Sequence, residues 1–150
     1  MESIRSTVTV TESPARAFER FTERLGDWWP PEFSWSGEVL EEMGMEPWEQ
    51  GMLFEVGPHG FRCDWGRITT WSPPKRLVFT WQIGPNREPV PDPAMASEVE
   101  VRFDDADGGT HVSVEHRAFE RHGERAETYR DGLSGAWAQI LDRFARAPAR

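Results

Sequence analysis

The side chains best suited to chemistry in this chain are four histidines and a single cysteine. His59, Cys63 and Asp64 come nearest to a metal-binding spacing, but no His-Glu-x-x-His or paired-cysteine motif accompanies them. His111 and His122 fall at polar or turn positions, and neither a nucleophile elbow nor a phosphate-binding glycine loop is found in the sequence. We therefore expect no metal, no cofactor and no recognisable catalytic group. The sequence favours a non-enzymatic function, and an enzymatic function stays an alternative.

Tryptophan is the most unusual feature of the composition. Eight tryptophans occur in 150 residues, and nine phenylalanines join them. The tryptophans occupy positions 28, 29, 35, 48, 65, 71, 81 and 137. Large rings fill hydrophobic cores, and they also line pockets for apolar or planar ligands. We therefore predict that part of this aromatic set surrounds an internal cavity.

Two predicted helices lie near the ends of the chain. Residues 6–10 alternate as a strand, and Ser13-Pro14 then starts a helix that runs to residue 25. Trp28-Trp29, followed by two prolines, predicts only a short helical turn. Residues 125–147 carry one apolar stripe at steps of three and four, which predicts a long terminal helix. Gly132 and Gly135 interrupt that stripe and predict a close approach of the helix backbone to the sheet or to a ligand.

The middle of the chain predicts antiparallel strands joined by short turns. The predicted strands are 38–42, 51–56, 61–71, 76–83, 97–104 and 110–119, and residues 84–96 form a long loop with four prolines. Alternation places Val99, Val101 and Phe103 on one face, and Val112 and Val114 repeat the pattern. A sheet with one apolar face must be covered, so we expect it to curl around the terminal helix as one domain, residues 1–150.

Charge and hydropathy exclude several classes of protein. The net charge is −9, and between Leu25 and Phe61 there is no Lys or Arg. That stretch carries Asp27, Glu32, Glu38, Glu41, Glu42, Glu46, Glu49 and Glu55. Such a surface repels phosphate backbones, so nucleic-acid binding is excluded. Two interpretations of the acidic stretch stay open: a face exposed to solvent, or a binding surface for a basic partner. With no signal peptide and no apolar run of 18 residues, we expect a cytoplasmic protein without a membrane span.

Several short motifs, in order, resemble a known superfamily. They are Pro14-x-x-x-Phe18, Trp28-Trp29-Pro30, Trp65-Gly66-Arg67-Ile68, Pro73-Pro74-x-Arg76-Leu77-Val78-Phe79-Thr80-Trp81, Gly109-Thr110-x-Val112, His116-x-x-Phe119 and Gly135-x-Trp137. Together they resemble the START-like, Bet v 1-like (SRPBCC) superfamily, and within it the bacterial homologues of the C-terminal domain of the heat-shock-protein-90 ATPase activator. The resemblance extends over roughly Val8 to Phe144.

The resemblance implies an α+β helix-grip fold. In it a curved antiparallel sheet wraps around a long C-terminal helix, two short helices lie near the N-terminus, and a cavity separates sheet and helix. The resemblance leaves several functions open, because the superfamily includes lipid carriers, polyketide cyclases and aromatases, and a cochaperone domain. The favoured function is binding or carriage of a small hydrophobic, aromatic or lipid-like molecule. A polyketide cyclase or aromatase and a chaperone-activating module are the alternatives, and a homodimer stays open.

The candidate ligand-binding residues are those expected to border the cavity. They are Trp28, Trp29, Trp65, Trp71, Phe79, Trp81, His116, Tyr129, Leu133 and Trp137. Strand parity places His116 on the inner face, where desolvation should keep its imidazole neutral. Glu55 is a further polar candidate. The structural interpretation is that His116 is a core histidine with satisfied hydrogen bonds and that Glu55 pairs with an arginine such as Arg67 or Arg76. The functional interpretations are that these groups orient a ligand or act in acid-base catalysis.

Overall fold

A single seven-stranded antiparallel sheet forms the body of the molecule in the computed structural model, which describes residues 1–147. The strands are β1 (Ile4–Val10), β2 (Glu42–Met45), β3 (Met52–Val56), β4 (Arg62–Ser72), β5 (Arg76–Trp81), β6 (Ser97–Ala106) and β7 (Gly109–Arg117). Their order across the sheet is β1-β7-β6-β5-β4-β3-β2. Every neighbouring pair is antiparallel, so the predicted sheet is confirmed.

Alternating side chains give the sheet its buried concave face. Val99, Val101 and Phe103 of β6 are buried, and Val99 pairs with His116 of β7. His116 is itself fully buried, beside Val114 in the alternation, so the predicted inner-face position is confirmed. This regular period of two allowed the facing of β6 and β7 to be predicted from sequence.

Three α-helices accompany the sheet: α1 (Pro14–Glu23), α2 (Ala126–Gly132) and α3 (Ala136–Arg146). The hydroxyl of Ser13 accepts the amide N–H of Arg16 and caps α1. The long terminal helix is confirmed, but it bends, because residues 133–135 separate α2 from α3. The four largest buried side chains of α3 are Trp137, Ile140, Leu141 and Phe144.

The two glycines at the bend do not lie against the sheet. A Cβ atom at Gly132 or Gly135 would meet no neighbouring atom within 4 Å, so the predicted close approach to the sheet is wrong, and an approach to a ligand stays a prediction. Both positions are exposed. Glycine lowers helix propensity by about 1 kcal/mol relative to alanine, and two glycines three residues apart favour the bend between α2 and α3.

Two predicted strand boundaries shift for identifiable reasons. The predicted strand 38–42 is wrong in position: residues 37–39 form a short 3-10 turn, and β2 begins at Glu42 so that Met43 and Met45 enter the core. The predicted strand 110–119 stops at Arg117, because Ala118 adopts a left-handed conformation with φ of 62°. The 3-10 turn Phe119–His122 follows and buries Phe119.

One end of the sheet-and-helix core is closed by α1 and by the tryptophan turn. Trp28 packs against Phe21 and Phe144, and its indole N–H donates to the carbonyl oxygen of Arg20 at 3.1 Å. The buried Arg20 donates in turn to the carbonyl oxygen of Phe144, and it forms an ion pair with Glu12. These contacts join α1 to the C-terminal part of α3. Among residues 1–147, no helix is both long and apolar enough to cross a membrane.

Candidate functional site

A pocket of about 200 Å³ opens at the other end of the core, between β5, α2 and two loops. Trp81 ends β5 and forms one wall, and Tyr129 and Leu133 come from α2 and the bend that follows it. The loops contribute Glu32, Phe33, Ser34, Trp35, Ile83, Gly84, Pro85 and Arg87. Aromatic walls with a few polar groups are typical of sites for planar small molecules.

A second groove of about 260 Å³ adjoins the pocket along α2. Pro85, Tyr129 and Leu133 line both spaces, and Arg125 lines the second alone. Arg125 also donates to the side chain of Asn86 at 3.1 Å, which connects α2 to the loop that follows β5. A ligand too long for the first pocket can therefore extend along α2 into the second groove.

Four tryptophans fill the space behind the pocket. Trp29 contacts Trp65 at a ring-centroid distance of 5.3 Å, Trp65 contacts Trp81 at 5.5 Å, and Trp137 lies 5.8 Å from Trp81 and 6.0 Å from Trp29. All four are buried. Edge-on and tilted ring contacts of this kind stabilise aromatic clusters. The interior that we expected to be roomy is thus occupied by rings, and the pocket lies at its mouth.

The predicted site residues fall into three places. Trp81, Tyr129 and Leu133 line the pocket. Trp29, Trp65, Phe79, His116 and Trp137 form the aromatic cluster behind it. Trp28 and Trp71 do not line the pocket: Trp28 packs against Phe21 and contacts Trp29 at 5.8 Å, at the edge of the cluster. Trp71 is half-buried against Phe18 in a groove with Pro73 and Pro74.

Sequence reasoning missed the loop side of the pocket. Phe33, Trp35 and Arg87 lie in irregular segments, where no period assigns a direction to a side chain. The one available signal was compositional: Phe33 and Trp35 are aromatic residues in an otherwise polar loop.

The two loops are held together over the pocket by hydrogen bonds. The indole N–H of Trp35 donates to the carbonyl oxygen of Arg87 at 2.6 Å, and the guanidinium of Arg87 donates to the carbonyl oxygen of Ser34 at 2.6 Å. The buried carboxylate of Glu55 accepts the amide N–H groups of Trp35 and Ser36, each at 2.9 Å. The expected arginine partner of Glu55 is therefore wrong, because Glu55 holds a loop backbone and Arg76 pairs with Glu100.

Tyr129 presents a hydroxyl that stays protonated. It accepts the indole N–H of Trp81 at 2.8 Å and donates to the carbonyl oxygen of Ile83 at 2.5 Å. Burial raises the pKa of Tyr129 to about 12, with Glu88 acting in the same direction and the Trp81 hydrogen bond opposing it. At neutral pH the phenol therefore keeps its proton, which it donates to Ile83.

His116 takes part in a hydrogen-bonded chain whose direction is fixed. The indole of Trp137 can only donate, so the Nδ1 atom of His116, 3.1 Å away, accepts. Nε2 of a neutral His116 then carries the proton and donates to the hydroxyl of Ser97 at 2.8 Å. That hydroxyl donates to Nε2 of His122 at 2.8 Å, and the amide N–H of Ser97 donates to the same atom at 3.0 Å.

His116 and His122, the two histidines joined through Ser97, are neutral at physiological pH. Burial, and secondarily the nearby His122, hold the pKa of His116 well below its ordinary value. Burial also lowers the pKa of His122, although Glu88 acts in the opposite direction. The predicted neutrality of His116 is confirmed. Because Trp137 and Ser97 use both of its ring nitrogens, a direct contact between His116 and a ligand stays a prediction.

Stability should fall as the pH falls below about 6.5, the pKa of histidine in an unfolded chain. Between that value and the lower folded-state pKa, the unfolded state binds more protons, so His116 contributes a loss of about 1.4 kcal/mol per pH unit. Urea unfolding measures this slope at several pH values from about 7.5 to about 5.5, a range of one pH unit on either side of the histidine pKa.

Two variants isolate the share of His116 in this slope. His116→Phe should unfold more easily at pH 7, because the indole N–H of Trp137 loses its acceptor, and its pH dependence should be shallower. His111→Gln, at an exposed position of the same strand, should keep the wild-type slope. Equal slopes in the wild type and His116→Phe would contradict the assignment.

Comparison with known proteins places the chain among proteins of the same fold. Residues 12–148 match the family described as Activator of Hsp90 ATPase homolog 1-like protein. No curated protein sequence gives a significant match. Among residues 1–147, no group of three or more His, Cys, Asp or Glu side chains is placed to hold a metal ion.

Three solved structures illustrate the similarity. The first is an anthrahydroquino-gamma-pyrone synthase, Txn09, complexed with SUM; it is 37% identical, with a TM-score of 0.68, and the match covers 97% of this chain and 96% of that one. Protein MLL2253 from Mesorhizobium loti is 18% identical, with a TM-score of 0.66 and coverage of 97% and 95%. The Aha1 dimer from Colwellia psychrerythraea is 14% identical, with a TM-score of 0.65 and coverage of 97% and 94%.

Proposed function

Since this chain belongs to the family of Activator of Hsp90 ATPase homolog 1-like proteins, within the START-like superfamily, we propose that it binds a small planar aromatic molecule. The proposed site is the pocket between Trp35, Trp81 and Tyr129. The observation that carries the proposal is the composition of its walls, where Phe33, Trp35 and Trp81 lie together with Tyr129, whose phenol stays protonated at neutral pH.

The chemistry of the walls defines the ligand. Flat indole and phenyl faces favour a planar ring system, because such rings stack with large contact area and lose little conformational entropy. The guanidinium of Arg87, which donates to Ser34 through one nitrogen, has further N–H groups that can donate to a ligand in the pocket. Donors favour a ligand that carries oxygen acceptors, such as a phenol, ketone or quinone.

Ring closure of an aromatic polyketide is the second candidate function. Txn09, 37% identical over nearly the whole chain, is a synthase of an anthrahydroquino-gamma-pyrone. In this chain Tyr129 would serve such a reaction by turning its hydroxyl proton from Ile83 to a substrate carbonyl oxygen on which negative charge develops. Detection of a cyclised product with a matching aromatic polyketide would separate this function from binding alone.

A chaperone partner and a homodimer stay predictions from the sequence. The Aha1 dimer is 14% identical to this chain, and a similarity of that level supports the shared fold alone. The acidic stretch 25–61 is the feature that favours a basic partner. Neither prediction contributes to the pocket described above.

Binding can be tested with a matched pair of tryptophan variants. We expect the wild-type protein to bind anthraquinone-2-sulfonate with a dissociation constant in the micromolar range, about −8 kcal/mol, in isothermal titration calorimetry. Trp35→Ala removes one wall of the pocket and the bond to Arg87, and should weaken binding at least about ten-fold. Trp48→Ala changes an exposed loop tryptophan and should leave the affinity unchanged. Equal affinities for the two variants would place the ligand elsewhere or exclude the proposed pocket.

A further inference from the structure

We propose that Arg125 binds a carboxylate of the ligand, so that the site takes an aromatic acid with its ring system in the first pocket and its acidic substituent in the groove along α2. This inference rests on the proposed binding function and names the class of molecule that the site selects. It starts from two features of the groove. The groove adjoins the pocket, and its wall contains an arginine whose side chain has no carboxylate partner within residues 1–147.

One face of α2 connects the groove to the pocket. Arg125, Thr128, Tyr129 and Gly132 all line the groove, and their spacing of three and four residues places them on the same side of a helix. Tyr129 also lines the pocket, which has a volume of about 200 Å³ beside the 260 Å³ of the groove. A ring system in the pocket can therefore carry a short substituent that passes Tyr129 and ends beside Arg125.

The guanidinium of Arg125 is held in place but keeps most of its donors. Its Nη1 atom donates to the side-chain oxygen of Asn86 at 3.1 Å, and this is the only bond of that side chain within the described part of the chain. Arginine has five N–H donors, and the edge formed by Nε and Nη2 matches the two oxygens of a carboxylate. The neutral amide of Asn86 thus positions the guanidinium without balancing its charge.

The charges that line the two spaces favour an anion. The chain has a net charge of −9, but the linings contain two arginines, Arg87 and Arg125, and one carboxylate, that of Glu32. Glu32 lies 4.0 Å from the guanidinium of Arg143, whereas neither lining arginine forms an ion pair within residues 1–147. Glu88 lines neither space, and its carboxylate accepts a backbone N–H of its own loop at 2.7 Å. The local charge is therefore opposite in sign to that of the whole chain.

The surroundings of Arg125 favour a carboxylate over a phosphate. One guanidinium balances a single negative charge, so a phosphate dianion would keep an unbalanced charge beside an acidic protein. Arg125 is exposed, so a carboxylate bound there keeps part of its hydration and costs little to desolvate. Thr128 lines the same groove and supplies a hydroxyl that can donate to a carboxylate oxygen.

The test compares two probes of the same size that differ in charge. Anthraquinone-2-propanoate carries a carboxylate, and anthraquinone-2-propanamide is its neutral analogue. We expect the wild-type protein to bind the acid about five-fold more tightly in isothermal titration calorimetry, equivalent to about 1 kcal/mol, the upper range for an exposed ion pair. Arg125→Gln should lose this preference and keep its affinity for the amide. Arg16→Gln, which removes an exposed charge of α1 that lines neither space, should keep the preference.

A second pair of variants tests the position of the acidic substituent. Gly132 lines the groove, and a Cβ atom there would meet no neighbouring atom within 4 Å, so a larger side chain has room. Gly132→Leu should occupy part of the groove and lose the preference for the acid. Gly132→Ala raises helix propensity in the same way but adds a single methyl group, and it should keep the preference.

The outcomes separate this inference from the proposed function. Equal affinities of the wild-type protein for the two probes, or a preference that persists in Arg125→Gln, overturn the inference and leave ring binding intact. A preference that persists in Gly132→Leu places the acid outside the groove and also overturns it. A preference lost equally in Arg16→Gln would come from net charge, which overturns the inference as well. Failure of both probes to bind the wild-type protein overturns the proposed function and the inference with it.

Discussion

A chain ending at Glu124 is expected to lose cooperative unfolding altogether. The truncation removes α2 and α3, and with them the buried side chains Trp137, Ile140, Leu141 and Phe144. Each large core side chain contributes about 2–5 kcal/mol, and a domain of this size is stable by about 5–15 kcal/mol in total. The concave face of the sheet would then be exposed to water, and the remaining contacts could not compensate.

Differential scanning calorimetry with near-ultraviolet circular dichroism measures this loss. The truncated chain should show no heat-absorption peak and no near-ultraviolet signal. A full-length chain with Ala138→Ser and Gln139→Ala, both exposed positions of α3, should melt as the wild type does. A truncated chain that still melts cooperatively near the wild-type temperature would refute the architecture in which the terminal helix covers the sheet.

Trp137→Ala should destabilise the protein by about 3–5 kcal/mol, the cost of a large ring deleted from a well-packed core. The Trp137 ring is fully buried against Trp29 and Trp81. Its removal also leaves Nδ1 of His116 without a donor, which adds the cost of a buried unsatisfied acceptor. Since Trp81 lines the pocket, loosening of this cluster should also weaken ligand binding.

Urea unfolding gives the change in the free energy of unfolding. Trp48→Ala is the matched control, because Trp48 is 55% exposed, and it should change stability by less than about 0.5 kcal/mol. A loss below about 1 kcal/mol for Trp137→Ala, as is usual for surface substitutions, would mean that the aromatic cluster is not a cohesive part of the core.

The regular parts of the fold could be predicted because their periods are local properties of the sequence. Alternation placed Val99, Val101 and Phe103 on one face, and the same rule placed His116 inside. The stripe of the terminal helix likewise identified Trp137 as a core residue. In each case a short window contained enough residues to show which side is buried.

The irregular parts could not be predicted, since tertiary contacts decide them. Nothing in the local sequence shows that Trp35 reaches the pocket, because its position depends on Glu55 in β3 and Arg87 in a distant loop. The bend at residues 133–135 was hidden because the apolar stripe keeps its spacing on both sides of Gly132 and Gly135.

The filling of the interior by tryptophan rings was equally hidden. Four rings distant in sequence must meet at particular angles before a cavity closes. For the same reason, the sequence does not show that the buried indole N–H of Trp65 has no hydrogen-bond partner within residues 1–147.

The measurement that tests the central claim most directly is the assigned indole ¹H–¹⁵N spectrum of the wild-type protein during titration with anthraquinone-2-sulfonate. The signals of Trp35 and Trp81, the two tryptophans that line the pocket, should move together and saturate with one dissociation constant. The signal of Trp28, at the opposite end of the core, should stay in place. A spectrum in which Trp35 and Trp81 do not respond, or in which only the exposed Trp48 does, would contradict a ligand site between Trp35, Trp81 and Tyr129.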